Sequence, residues 1–415
     1  MIKGFLINIV ILTSATILNG ILGFFISVIV ARTLEPSDFG TFSVMITIGA
    51  FLALVFDFGI NPVLASRISV RKTTKLYDAV LRFRILLSVS FTILIIVFFI
   101  LTSAMFNIRL DGQFLNWILV LCSVFWLLVI STEQSRVQGL KLFWVMAIMI
   151  LAVNIVRFPL TLLVSVSHPN LDLYVVSYII PPIILGFIIG CQRKDGWLKN
   201  GQFRLLKPLL PMIGWAGITV CLSAALMRVD LWIVSAIAGM AEAGRFAASF
   251  QAASLVFIIG SSLSSVILPE IARLDSNHQI REFLVSYLKK ILPFFLIAVL
   301  LAFEFANFVW FFFGNKYKGI EMTTFFLTTS FILSTINSPF YLLYQSRRQY
   351  SFLAKVHFIQ IVVLLLGCAI MVPHYGAMGA AMANLFMRIL SISFFVFITL
   401  YKLSSSVIIP KGTKK

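Results

Sequence analysis

Twelve long apolar stretches run through this chain, and positive charge is confined almost wholly to every second gap between them. The stretches lie near 5–31, 40–63, 84–106, 114–132, 143–165, 172–191, 209–229, 246–268, 290–313, 321–344, 352–373 and 376–400. Twenty-five of the 33 Lys and Arg residues fall in alternate gaps or at the two chain ends. The richest gaps hold Arg67, Arg71, Lys72, Lys75, Arg82 and Arg84, then Arg193, Lys194, Lys199, Arg204 and Lys207. Positive charge resists translocation and is drawn to the anionic cytoplasmic surface, so gaps of this kind stay in the cytoplasm. The pattern predicts an all-α polytopic inner-membrane protein of about twelve transmembrane helices, with both termini cytoplasmic.

That reading also accounts for the +18 net charge without a nucleic-acid partner. Only 12% of residues are charged, against roughly 25% in a soluble domain. Twelve spans of about 20 residues take about 240, which leaves short loops and no separate soluble domain. The run after Met1-Ile2-Lys3 is too long for a signal peptide and has no clear cleavage site, so it reads as a retained first helix. Cys122, Cys191, Cys221 and Cys368 have no metal-site spacing and suggest no disulfide. His168, His278, His357 and His374 are scattered and mark no metal site.

The central basic loop divides the chain into 1–206 and 207–415. Shifting the sequence by 204 places Ile29, Val30, Gly40 and Phe42 over Ile233, Val234, Gly244 and Phe246, with Asp38 over Glu242. The matches fall at the same topological place, the outer loop after the first helix of each half. Six spans per half give both halves one orientation. They are therefore expected to be parallel repeats, two six-helix bundles facing a central cavity.

Several segments carry a family resemblance. Ala31-Arg-Thr-Leu-Glu-Pro-Ser-Asp-Phe-Gly-Thr-Phe-Ser43 resembles the first outer loop of bacterial polysaccharide flippases, which pair an Ala-Arg with Leu-Gly-Pro and an aromatic-Gly-aromatic. Glu35 stands where that family usually has glycine. Asp57-Phe-Gly-Ile-Asn61, Gln138-Gly139, Pro269-Glu-Ile-Ala-Arg273, Phe313-Gly-Asn-Lys-Tyr317 and Pro373-His-Tyr-Gly-Ala-Met-Gly-Ala-Ala381 are similar to that family in order and spacing. The chain thus resembles the Wzx-type members of the multidrug/oligosaccharidyl-lipid/polysaccharide exporter superfamily. The resemblance implies a flippase rather than an enzyme. Its substrate would be an undecaprenyl-pyrophosphate-linked oligosaccharide, moved from the cytoplasmic to the periplasmic leaflet for O-antigen or capsule. It implies no cofactor, coupling to a proton or Na⁺ gradient, and the polysaccharide polymerase machinery as a partner. Secondary transport agrees with the absence of a GxxxxGK[ST] loop.

A pyrophosphate head crossing about 30 Å of hydrocarbon needs a wet, cationic path, and arginine offers phosphate a planar fork of donors that stays charged. Arg157 and Arg388 fall within spans, where each costs about 2.5–3.5 kcal/mol on insertion scales. Both are expected to face an aqueous interior and hold the head, the alternatives being a buried ion pair or, for Arg157, snorkelling toward the outer surface. Arg32 and Arg228 are placed near outer helix ends, to guide it outward or to anchor at the interface. Glu304, mid-span, and Asp57 are the candidate ion-coupling carboxylates, with structural pairing to an arginine the competing role for Glu304. Asp57 and Asp230 sit near expected span ends, where a capping or loop role competes.

Two rivals remain. A multidrug exporter of the same superfamily shares the architecture, although cationic drugs favour an acidic cavity. An O-antigen polymerase or ligase handles related substrates but needs a large periplasmic loop, and the outer gaps here are roughly ten residues or shorter.

Overall fold

In hydrocarbon every backbone N–H and C=O must find a partner within the protein, and an α-helix achieves this within one segment. The chain follows that solution almost throughout. The structure, a computed structural model, describes residues 2–71, 75–106, 112–191, 210–274 and 276–404. Thirteen α-helices occur among them: α1 (Ile2–Thr33), α2 (Pro36–Asp57), α3 (Ile60–Arg71), α4 (Lys75–Phe106), α5 (Gly112–Gly139), α6 (Phe143–Ser167), α7 (Leu171–Cys191), α8 (Leu210–Leu226), α9 (Val229–Ile237), α10 (Met240–Arg273), α11 (Asn277–Phe313), α12 (Glu321–Ser346) and α13 (Tyr350–Ser404). A single 3₁₀ turn, Asn315–Tyr317, precedes α12.

Each of the twelve predicted stretches falls on helix among the described residues, with turns at 58–59 and 227–228 interrupting two of them. Eight helices among the described residues are long and apolar enough to cross a membrane, or nine when Gly214–Leu226 and Val229–Ile237, bent by 43°, count as one span. α13 has 55 residues. At about 1.5 Å per residue it would reach about 80 Å if straight, far more than one bilayer. It folds back instead at Gly376, whose φ is +55°. Its two arms then lie antiparallel, with Gly367 against Ala383 and Gln360 bonded to Ser391. The two predicted spans 352–373 and 376–400 are these arms.

The chain forms two compact units. One comprises Met1–Leu34 and Phe42–Ala224, the other Glu35–Thr41 and Ala225–Lys415. The sequence boundary at 206/207 lies outside the described residues. In the first unit α5 is the hub for α3, α4 and α7, while α1 packs on α6 and α6 on α7. In the second unit α12 is the hub for α10, α11 and α13, while α9 packs on α13. The order of partners is the same, as internal repeats require. One difference is a break: Phe58 and Gly59, both at positive φ, separate α2 from α3, whereas the counterpart α10 is continuous over 34 residues.

The cores are apolar. Leu64, Ile68, Tyr77, Val80 and Val129 are buried together in the first unit. Ile271, Leu284, Phe340, Leu343 and Phe395 do the same in the second. A long outward face of α11, including Phe294, Leu300 and Phe308, stays exposed. Such a surface is tolerable in lipid and unfavourable in water.

Candidate functional site

Arg157 on α6 is engaged by its own unit. Pro182 on α7 has no N–H, so the carbonyl four residues earlier, Tyr178, loses its helical donor. Arg157 Nε donates to that carbonyl at 2.8 Å. Its Nη1 donates to Asn154 at 3.2 Å, and Asn154 in turn reaches Asn19 on α1 at 3.0 Å. The guanidinium also lies 3.6 Å from the centroid of the Tyr178 ring. The same repair recurs in the other unit: Pro339 leaves the Thr335 carbonyl without its donor, and Tyr287 Oη donates to it at 3.3 Å. Arg157 thus ties α1, α6 and α7 together.

Asp57, at the end of α2, is buried and pairs with Arg84 at 2.6 Å. Arg84 also donates to Asn61, to Thr132 and to the Leu128 carbonyl. Arg84 was expected in a cytoplasmic gap. It is instead 3% exposed, because α4 begins at Lys75 and carries it into the core. Hydropathy reports where the bilayer starts, and a helix continues beyond that point.

In the second unit the predicted seventh span is broken. α8 ends at Leu226 and α9 resumes at Val229. Arg228 therefore lies within the bent pair Gly214–Ile237 rather than at an outer helix end, and that expectation is corrected. Its guanidinium lies 4.4 Å from the Phe250 ring centroid. Asp230 in the first turn of α9 is likewise no end residue: it is 0% exposed. Its oxygens accept from the Leu231 N–H at 2.9 Å and from Asn384 Nδ2 at 2.8 Å, and Ser330 donates to Asn384 at 2.6 Å. The sequence carries one signal of this arrangement, the apolar run that resumes directly after Arg228-Val229-Asp230.

Arg388 is one helical turn beyond Asn384 on the second arm of α13. It is half-buried and feels the charge of Asp230. Among the described residues it makes no direct hydrogen bond or ion pair, and its Nε is buried without a partner. Three residues further along the arm, Ser391 accepts from Gln360 Nε2 at 2.5 Å, and Gln360 Oε1 lies 2.9 Å from His357 Nδ1. His357 Nε2 is also buried without a partner. The second unit therefore holds an internal polar cluster around one guanidinium whose donors are unspent.

The remaining candidates are dispersed. Arg32 is exposed in the last turn of α1. Glu304 is exposed on α11, with no hydrogen bond or ion pair among the described residues. No three His, Cys, Asp or Glu side chains come together among the described residues in a way that would hold a metal ion.

Comparison with known proteins supplies context for this geometry. The family model described as "Polysaccharide biosynthesis protein" matches residues 5–275. A search of curated proteins by sequence returns no match. Among solved structures, an inward-facing multidrug resistance MATE family transporter of the MOP superfamily aligns at 13% identity with a TM-score of 0.72, covering 96% of this chain and 98% of that one. The lipid II flippase MurJ, in an inward closed conformation, aligns at 16% identity with a TM-score of 0.68, covering 96% and 91%. A MOP superfamily transporter from Pyrococcus furiosus aligns at 14% identity with a TM-score of 0.64, covering 96% of each chain. At these identities the likeness is one of fold.

Proposed function

Because the chain belongs to the polysaccharide biosynthesis protein family, we propose that it is a flippase for undecaprenyl-pyrophosphate-linked oligosaccharides. In this reading it sits in the bacterial inner membrane with both termini in the cytoplasm. It carries each repeat unit from the cytoplasmic to the periplasmic leaflet, for O-antigen or capsule, ahead of the polymerase machinery. The observation that carries the reading is Arg388: a guanidinium inside the second unit with no direct partner among the described residues. A bundle keeps such a charge only for an interior task, and a pyrophosphate accepts its planar fork of donors.

The cycle is one of alternating access, while the polyprenyl tail stays in lipid. Arg388 is the principal anion ligand. Arg157 has a remaining nitrogen for the head but is first a structural tie. Arg32 and Arg228 serve the path. A proton or Na⁺ gradient drives or accompanies the cycle, and the carboxylates available to it are Asp230 and Glu304, since Asp57 is paired with Arg84. The protein makes and breaks no covalent bond and uses no cofactor.

The test is flipping by purified protein in proteoliposomes loaded with undecaprenyl-pyrophosphate oligosaccharide. The readout is cleavage of the sugar by an external glycosidase. Protein-dependent exposure of the inner pool is expected, and its loss in R388Q at unchanged protein level. No exposure with folded protein would move the assignment to a multidrug exporter, which shares this fold. Lengthening of the sugar chain would make it a polymerase.

A further inference from the structure

We propose that α11 is the contact through which two copies of this protein pair in the membrane, an outward row that sets Glu304 one turn from Asn307 meeting the same row of the second copy. Such pairing is independent of the cargo.

α11 has two opposite faces. It packs mainly against α12, and Ala302, Ala306, Val309 and Phe313 are buried. On the other side of the helix Ile297, Leu300, Glu304, Asn307 and Phe311 are all exposed. They follow one another at spacings of three, four, three and four residues. That is the seam along which one helix packs lengthwise on another.

Its apolar members are at ease in lipid, but its two polar members are not. Trp310, with Lys318 Nζ 4.9 Å from its ring centroid, marks the interfacial end of the span, where tryptophan and lysine gather. Glu304 lies six residues further in, about 9 Å along the axis at about 1.5 Å per residue. Snorkelling does not relieve it. Cα–Cβ bonds tilt toward the helix N-terminus, which directs the Glu304 side chain away from Trp310 and deeper into hydrocarbon. Among the described residues neither Glu304 nor Asn307 has a hydrogen bond or ion pair. A carboxylate and an amide facing lipid are strongly unfavourable, and a helix that supplies their missing partners is held by them.

The complement lies on the row itself. Glu304 brings acceptors, and Asn307 brings two N–H donors. Every copy crosses the membrane in the same sense. A two-fold axis along the membrane normal therefore lays two α11 helices side by side in parallel, each residue level with its own counterpart. Asn307 of each copy then lies one turn from Glu304 of the other and donates to its carboxylate, and the axis makes that bond twice. The two carboxylates repel each other, which turns each toward the opposite amide. A helix from another protein would have to repeat this donor and acceptor in the same order; a second copy does so by symmetry. An asparagine on such a seam also fixes register and the number of helices. Glu304 then serves assembly, which leaves Asp230 as the carboxylate open to an ion gradient.

The test is disulfide trapping of the full-length protein in liposomes. Cys122, Cys191, Cys221 and Cys368 are replaced by alanine, and one cysteine is added by Leu300→Cys, Phe311→Cys or Phe303→Cys. Phe303 is exposed at nearly the depth of Glu304 but lies off the row, its ring 5.6 Å from that of Phe325 on α12. Oxidation joins only cysteines whose Cα atoms come within about 7 Å. Trapped dimer is expected for Leu300→Cys and Phe311→Cys and not for Phe303→Cys. A second readout leaves the native cysteines in place and counts protomers by photobleaching of tag-labelled protein in sparsely loaded liposomes. There Glu304→Leu and Asn307→Leu should each weaken pairing about threefold to thirtyfold, the range of polar contacts between membrane helices. Glu304→Gln, which keeps an acceptor of the same reach, should retain it. Single protomers in wild type, trapping alike at all three positions, or pairing that survives Glu304→Leu combined with Asn307→Leu would each overturn the proposal. So would Leu300→Cys trapped to a different protein in native membranes with no pairing to itself.

Discussion

Gly40 and Gly244 pack backbone to backbone in the second unit. A Cβ on Gly40 would stand 1.9 Å from the Met240 carbonyl oxygen, and one on Gly244 would stand 1.9 Å from the Pro36 carbonyl oxygen. The overlaps are reciprocal, and the partners Pro36 and Met240 are themselves 204 positions apart, like the glycines. The repeat legible in the sequence therefore meets itself here, at the first turns of α2 and α10. Neither helix can carry a side chain at the crossing without moving. Gly40→Ala and Gly244→Ala should each destabilise the protein by about 1–3 kcal/mol, the usual cost of overpacking. Gly23→Ala is the control, since its Cβ would meet only Asn154 at 3.7 Å. Thermal unfolding in detergent reads the difference, and equal melting of all three would show that the crossing is loose.

The Asp57–Arg84 pair should behave as a buried ion pair rather than as an ion-coupling site. Removing one partner strands the other, at about 3–5 kcal/mol. Asp57→Asn and Arg84→Met should each lower the melting temperature. The double replacement Asp57→Leu with Arg84→Met should recover much of the loss, because neither charge remains. A double variant as unstable as the sum of the singles would mean that Arg84 matters mainly through Asn61, Thr132 and the Leu128 carbonyl.

The spans were legible because hydropathy and lysine placement report directly on the bilayer. Even the hairpin of α13 was visible as two runs flanking His374-Tyr375-Gly376. Other features were hidden for physical reasons. Breaks at Phe58-Gly59 and at Met227-Arg228 interrupt hydrogen bonding for a residue or two and hardly change mean hydropathy. Arg84 looked like a loop residue because its partner Asp57 lies 27 positions away. Asp230 was discounted for the same reason as Arg228 was misplaced: without the helix break, both fall at a span end. Arg157 showed its cost in the sequence but not its task, which depends on a proline 25 positions later in α7.

Tyr317 offers a pH-dependent test outside the spans. It is fully buried against Phe39 and Phe313, and its hydroxyl has no partner among the described residues. Burial, and then the charge of Glu35, push its phenol above the ordinary 10.0. The folded protein thus keeps a proton that the unfolded chain releases above about pH 10, so this contribution to stability is intact below that pH and falls as pH rises through it. Tyr317→Phe removes both the unpaired hydroxyl and this slope. It should be neutral or stabilising at pH 8 and should flatten the melting profile between about pH 9 and 11. A variant less stable at pH 8 would reveal a hydrogen bond to the hydroxyl.

Arg157 and Arg388 should separate cleanly, because one is spent on the fold and the other is not. Arg157→Gln leaves the Tyr178 carbonyl buried and unpaired, a loss of about 1–3 kcal/mol. The debt originates in Pro182, so Pro182→Ala, which restores an N–H for that carbonyl, should shrink the cost of Arg157→Gln. A double-mutant cycle on melting in detergent measures that coupling, and strict additivity would sever Arg157 from Pro182. Arg388→Gln should cost less in melting than Arg157→Gln, since it breaks no direct bond and removes only a through-space attraction to Asp230. Its effect should appear instead in sugar exposure in proteoliposomes, where Arg388→Lys, keeping the charge but not the fork, should retain a fraction of activity. Unimpaired exposure in Arg388→Gln would end its role as the anion ligand.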